Sequence, residues 1–229
     1  MGKAIHDWDM ILDNDRILVG VSGGKDSMVL LDRLFYLKER APVHFDIFPV
    51  HIDAGFKNSP AEKIKDFVDH RYCLLEVEYT DHGIQAHSEK NRENPCFLCS
   101  RLRRKRLFEM AQERSCKKVA LGHNKDDIIE TLFINIFYAG RIGTLKPRQS
   151  FFNHTLDIIR PLSYVEKTDI SAFKGQSDLP GFANNCPSAG QTKRSEVREM
   201  LEGLYRKNGH IKGNIFRAMS NVATDYLLN

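Results

Sequence analysis

The chain has 229 residues and a mass of 26.3 kDa, with 34 lysines and arginines against 30 aspartates and glutamates, giving a net charge of +4 and an isoelectric point near 8.7. With 41% hydrophobic residues, 28% charged residues and a mean hydropathy of −0.41, it is expected to be soluble with one substantial core. No run approaches the ~18 apolar residues of a membrane span, and so mild a charge argues for nucleic acid only where it is locally clustered. The N-terminus Met1 to Asp7 has neither an apolar signal core nor Ser or Thr at position 6, so a cytoplasmic location without membrane attachment is expected. Five cysteines, Cys73, Cys96, Cys99, Cys116 and Cys186, then point to metal or redox chemistry rather than a disulfide framework.

The first apolar run, Ile17 to Val21, reads as a strand and leads through Ser22-Gly23-Gly24-Lys25-Asp26-Ser27 into a second apolar run that begins at Met28. A glycine-rich turn between strand and helix is a phosphate site. Two glycines let the backbone wrap round an anion, and the first N–H groups of the helix have no intrahelical acceptor and carry its positive dipole end. Ser22 and Ser27 add hydroxyls and Lys25 a charge. The common loop G-x-x-x-x-G-K-S/T does not fit: from Gly20 the second glycine comes one residue early, and Asp26 stands where the magnesium-binding hydroxyl belongs.

Further strands are predicted at Phe45 to Ile52, Cys73 to Tyr79, Lys118 to Leu121 and Asp157 to Ile159. Between them Ser59-Pro60-Ala61-Glu62 opens a helix with apolar Ile64, Phe67 and Val68, a helical run spans Ser100 to Glu113, and a further helix spans Asn124 to Tyr138 and stops at Gly140. Two more are expected at Thr192 to Arg206 and Asn214 to Leu228, with irregular chain over Gly83 to Pro95, Ala139 to Asn153 and Gly175 to Gly190. This alternation predicts an α/β fold: a Rossmann-like, parallel five-stranded sheet with helices on both faces and a small helical C-terminal addition. It is expected to form one domain over 1–229, with its core at about 16–178 and the helical part at about 179–229.

Ligands of open parallel sheets bind at the carboxyl ends of the strands. Three segments fall there: SGGKDS, His51-Ile52-Asp53-Ala54-Gly55-Phe56, and Gly122-His123-Asn124-Lys125-Asp126-Asp127. Asp26, Asp53, Asp126 and Asp127 are carboxylates where a nucleotide site needs them for Mg2+ or proton transfer. Equally, Asn124 caps a helix and Asp126 and Asp127 favour its positive end, while His51 and His123 suit hydrogen-bonded core positions.

Cys96 and Cys99 form a C-x-x-C at the start of a helical run, and at ~100° per residue they lie within roughly 60° of Arg103. A redox pair usually follows a strand directly, and a zinc site needs a fourth ligand, with His87 and His154 as candidates, and normally repeats the C-x-x-C. A third cysteine, Cys186, with no obvious fourth partner, suits an iron–sulfur cluster in which one iron keeps an open position. Cys73 and Cys116 read as packing residues.

SGGKDS, CFLCSRLRR, ALGHNKDD, ETLFINIFY and IRPLSY, in this order and spacing, resemble the tRNA 2-thiolation branch of the PP-loop ATP pyrophosphatases, and most closely its 2-thiocytidine synthetases, over roughly Arg16 to Leu201. The resemblance implies an adenine nucleotide alpha hydrolase-like fold, ATP split between its α and β phosphates, and a [4Fe-4S] cluster on Cys96, Cys99 and Cys186. The CPSAG stretch at Cys186 is nearer to the 2-thiouridine enzymes, but there are too few cysteines for their zinc fingers, and the N-terminus is short beside many 2-thiocytidine synthetases.

Arg101, Arg103, Arg104, Lys105 and Arg106, with Arg141, Lys146 and Arg148 in a loop, are the clustered charge that an RNA backbone needs. The expected reaction is adenylation of the C2 oxygen of a tRNA pyrimidine splayed from its loop, most simply a cytidine of the anticodon loop, followed by sulfur insertion. Ser22, Gly23, Gly24, Lys25, Asp26, Ser27, His51, Asp53, Phe56, Gly122 and His123 would hold ATP and the nucleoside. Arg103 and one of Asp126 and Asp127 would activate the base. The sulfur donor is expected to be desulfurase-derived sulfur or inorganic sulfide, and a homodimer is an open oligomeric state. Rival readings are a 2-thiouridine synthetase, a tRNA-lysidine synthetase without a cluster, and a metal- or Fe–S-binding RNA sensor with a degenerate nucleotide site.

Overall fold

In the computed structural model, which describes every residue except Asn184, Ala189, Gln191 and Asn229, six strands form one sheet in the order β3-β2-β1-β4-β6-β5. The strands are β1 (Asp15–Gly20), β2 (Phe45–Asp53), β3 (Glu76–Tyr79), β4 (Lys118–Ala120), β5 (Arg148–Phe151) and β6 (Leu156–Ile159). All pairings are parallel except β5 on β6. The five expected strands are therefore joined by a sixth. The stretch expected to be irregular over Ala139 to Asn153 contains β5, which turns into β6 through Phe152, Asn153 and His154, all with left-handed backbone (φ 51, 53 and 66°). Arg-Gln-Ser-Phe offers no apolar run, and an edge strand needs none.

The chain divides into two units, Met1–Asn124 with Lys146–Ala189, and Lys125–Leu145 with Gly190–Asn229. In the larger one, α1 (Gly2–Asp7), α2 (Lys25–Lys38), α3 (Ala61–Arg71) and α7 (Lys167–Gln176) pack on one sheet face, and α5 (Pro95–Glu113) packs on the other. Alternation along the strands sorts the core. Ile17 and Val19 of β1 and Phe45 and Ile47 of β2 join the buried side chains of α2, while Leu18, Val50 and Val119 join Met110, Ala111 and Cys116 behind α5. Helix α3 begins one residue later than expected, with Pro60 rather than Ser59 at its N-cap, although Ser59 Oγ still accepts from the Ala61 N–H at 3.2 Å.

The smaller unit holds α6 (Lys125–Ala139), α8 (Lys193–Lys207) and α9 (Ile211–Ala218) round Ile129, Val197 and Leu201. Helix α6 ends before Gly140, whose φ is +57°. The last helix is shorter than expected: only a 3-10 turn, Thr224–Tyr226, follows α9. A short helix, α4 (His82–Ala86), lies where irregular chain was expected. Asn184 and Ala189, part of the expected irregular stretch and of CPSAG, lie outside the described residues. Among the described residues no helix is long and apolar enough to cross a membrane.

Candidate active site

Strand order reverses between β1 and β4, the switch point at which open α/β sheets bind ligands. SGGKDS leaves β1 there. Gly23 takes φ +79°, and a Cβ on it would stand 2.5 Å from Cδ1 of Ile64, so conformation and space both require glycine. The loop is closed by its serines: Ser27 Oγ donates to the Gly24 carbonyl at 2.8 Å and accepts from the Ser22 N–H at 3.1 Å. Gly24 caps α2 without a side chain, which leaves the first-turn N–H groups directed outward for an anion. Lys25 turns instead to Ser171 Oγ of α7, at 2.8 Å. From β4, Gly122 comes so close that a Cβ would lie 3.0 Å from the Ser27 nitrogen. His123 and the buried Asn124 follow it.

His51 and Asp53 are both buried at the end of β2. His51 Nδ1 lies 2.7 Å from the Val21 carbonyl, so Nδ1 carries the proton, and burial holds the imidazole pKa below its ordinary value, with the Arg103 charge acting in the same sense. Asp53 Oδ1 accepts from the Gly55 N–H at 2.6 Å, and Gly55 takes φ +85°. The ring of Phe56 closes on Gly83, where a Cβ would be 2.5 Å away, and meets His87 edge-on at 5.5 Å.

The thiols gather beside these residues. Asn94 caps α5, its Oδ1 accepting from the Cys96 N–H at 3.0 Å, with Pro95 opening the helix. Burial raises the Cys96 pKa, and so do the neighbouring Cys186 and Cys99, while Arg103 and Ser188 lower it, so the three thiols and Arg103 are neighbours. Arg103 Nε is buried without a hydrogen-bond partner among the described residues, and its charge is felt at His51, His82 and Cys96. Among the described residues no three His, Cys, Asp or Glu side chains stand at the spacing of a single metal ion. Two thiols in the first turns of α5 with the Cys186 thiol beside them are donors that suit an iron–sulfur cluster.

The model of the PP-loop domain matches residues 2–203. Over its whole length the chain is 38% identical to a tRNA-cytidine(32) 2-sulfurtransferase of Geotalea daltonii and 37% identical to that of Geotalea uraniireducens, covering 92% of each. The chain belongs to the PP-loop family and, within it, to the tRNA-cytidine(32) 2-sulfurtransferases. Among solved structures, the U34-tRNA thiolase NcsA of Methanococcus maripaludis, with its [4Fe-4S] cluster, superposes with a TM-score of 0.80 at 20% identity, over 99% of this chain and 78% of its own. At that identity the likeness is one of fold.

In this PP-loop protein Asp126 and Asp127 open α6 in the smaller unit, and both carry ion pairs there. Asp126 accepts from Lys212 Nζ at 2.8 Å and Asp127 from Arg194 at 3.0 Å. Arg194 also reaches the buried Glu130, which Arg198 holds at 2.7 Å.

The basic run divides sharply. Arg106 is bound by Glu78 and Glu113, Arg101 pairs with Glu93 and Lys105 with Glu109, and in the later cluster Arg148 holds Asp157. Arg104, Arg141 and Lys146 are exposed and make no ion pair among the described residues. Cys116 is core, as expected, whereas Cys73 is only half-buried. The places of Ser188, in the CPSAG stretch, and of His82, at the start of α4, are set by long-range contacts with His87 and Arg103 that the sequence does not display.

Proposed function

We propose that this chain thiolates a cytidine of tRNA, position 32 in keeping with its relatives, at the expense of ATP. The observation that carries the reading is the meeting of Arg103 with three thiols on the same sheet end as SGGKDS. The family membership supports the tRNA substrate.

The loop Ser22 to Ser27 binds the phosphates through its turn and first-turn N–H groups, with magnesium as the usual companion of ATP. The C2 oxygen of the base attacks the α phosphorus, pyrophosphate leaves, and a sulfide sulfur then forms the C–S bond as the C–O bond breaks and AMP departs. Arg103, a cation without a hydrogen-bond partner at Nε, is positioned to polarise the C2 oxygen and to stabilise the charge that develops on it. His51, neutral and fixed by Val21, and Phe56 wall the base site. A [4Fe-4S] cluster held by Cys96, Cys99 and Cys186 supplies, when bound, an iron without a protein ligand at which sulfur is presented. Asp126 and Asp127, held by Lys212 and Arg194, take no step in this reaction.

Protein purified without oxygen tests the reading. About four irons and four sulfides per chain, lost in Cys186→Ala, together with ATP- and sulfide-dependent conversion of a tRNA cytidine to 2-thiocytidine, are the expected results. Stoichiometric zinc without sulfide, or thiolation of uridine alone, overturns it.

A further inference from the structure

The segment Ile159-Arg160-Pro161-Leu162-Ser163-Tyr164 leaves the carboxyl end of β6, and the reaction above gives it no part. Arg160 is 2% exposed. Its Nη1 donates to the Lys146 carbonyl and its backbone N–H to the Pro147 carbonyl at 2.8 Å, which fixes it in place. Nε is buried with no hydrogen-bond partner, and no carboxylate pairs with this guanidinium among the described residues. The acid on β6, Asp157, is already taken by Arg148 at 2.7 Å and Ser150 at 2.6 Å. Three residues on, Ser163 is fully buried and its Oγ is likewise unmatched.

Burial, and then the charge of Arg104, bring the Arg160 pKa down to about 10. A cation withdrawn from water beside a second cation is costly, and apolar residues of the same volume serve a fold better when no anion is to be met. Arg104 on α5 and Lys146 before β5 are exposed and flank it. The nucleotide phosphates have their own cradle at the end of β1, two strand spacings or ~10 Å across the sheet.

We propose that Arg160, with Arg104 and Lys146 beside it and the Ser163 hydroxyl as a further donor, receives a phosphodiester of the bound RNA. The site rests on the tRNA reading above. A phosphate oxygen between Arg104 and Arg160 answers both charges at once, and orients the strand on the α5 side of the sheet.

The test is a fluorescence-anisotropy titration of a tRNA transcript carrying cytidine at position 32, over a series of salt concentrations, with ADP binding and thermal unfolding measured alongside. Arg160→Met is expected to weaken RNA binding roughly tenfold or more and to reduce the salt slope by about one. ADP affinity should be unchanged and the unfolding midpoint equal or higher, because an unanswered buried charge has gone. Unchanged RNA affinity and slope in a folded variant overturn the proposal. So does loss of ADP affinity with RNA binding intact, which assigns the arginine to the nucleotide. Should Arg160→Met not fold, Arg104→Gln carries the test: weaker RNA binding and a shallower slope, with free protein more stable than wild type, support it, and unchanged RNA binding overturns it. A wild-type chain that binds ADP but no tRNA removes the tRNA reading and this site with it, whereas a wild-type chain that binds tRNA, with variants that bind it equally well, removes this site alone.

Discussion

The imidazole Nε2 of His87 lies 2.8 Å from Ser188 Oγ and 4.0 Å from the Sγ of Cys186. Its Nδ1 faces the Gly83 carbonyl at 2.8 Å, so the proton sits on Nδ1 and Nε2 accepts from the Ser188 hydroxyl. The ring therefore anchors the third cysteine's segment to α4. His87→Ala is expected to speed amide hydrogen exchange over residues 185–188 roughly fivefold, the loss of about 1 kcal/mol, with little change in β1 or β4. Equal protection in variant and wild type would show that the histidine does not hold the segment.

Arg103→Ala should slow thiolation by roughly 100-fold or more, as for removal of a charge-stabilising donor, with iron and sulfide content unchanged. Arg103→Lys should recover only part, since a point charge cannot present the same planar fork. Loss of iron in Arg103→Ala would recast the residue as a support for the thiols.

Gly23→Ala places a methyl 2.5 Å from Ile64 at a backbone angle that side chains avoid. A cost of about 1–3 kcal/mol in unfolding free energy is expected, with a matching fall in ATP affinity. Ile64→Ala should restore part of the ATP affinity by opening the space, and a double variant no better than Gly23→Ala would assign the loss to backbone strain alone.

Burial lowers the His51 pKa in the folded chain, so between that value and the ordinary 6.5 the unfolded chain binds more protons. The stability this group contributes is present above about pH 6.5 and is lost as pH falls through the folded value. His51→Asn, which keeps a donor for the Val21 carbonyl, should therefore narrow the difference between urea midpoints at pH 7.5 and 5.5. An unaltered difference would mean that other groups, His82 among them, set the acid limb.

Much of the sheet was legible because Ile17 to Val21 and SGGKDS combine an apolar run with a turn that only a phosphate loop needs. Cys96, Cys99 and Arg103 could be grouped because helical spacing alone puts them on one face. The contacts that complete the site were not legible. His87 and Ser188 are 101 positions apart and meet only through the fold, and Arg106 looks like an RNA contact until Glu78 and Glu113 are seen to hold it. The sixth strand escaped for the same reason, since Arg148–Phe151 carries no apolar run and is defined by its partner β6.

The Phe182 N–H donates to the Gly23 carbonyl at 3.0 Å, and Asn185 grips the Asn58 carbonyl at 2.5 Å. Four residues after Phe182 comes Cys186. The chain just before Cys186 is thus fastened by hydrogen bonds to the glycine loop and to Asn58. A change that displaces the Gly23 backbone should therefore also disturb the chain that leads to Cys186.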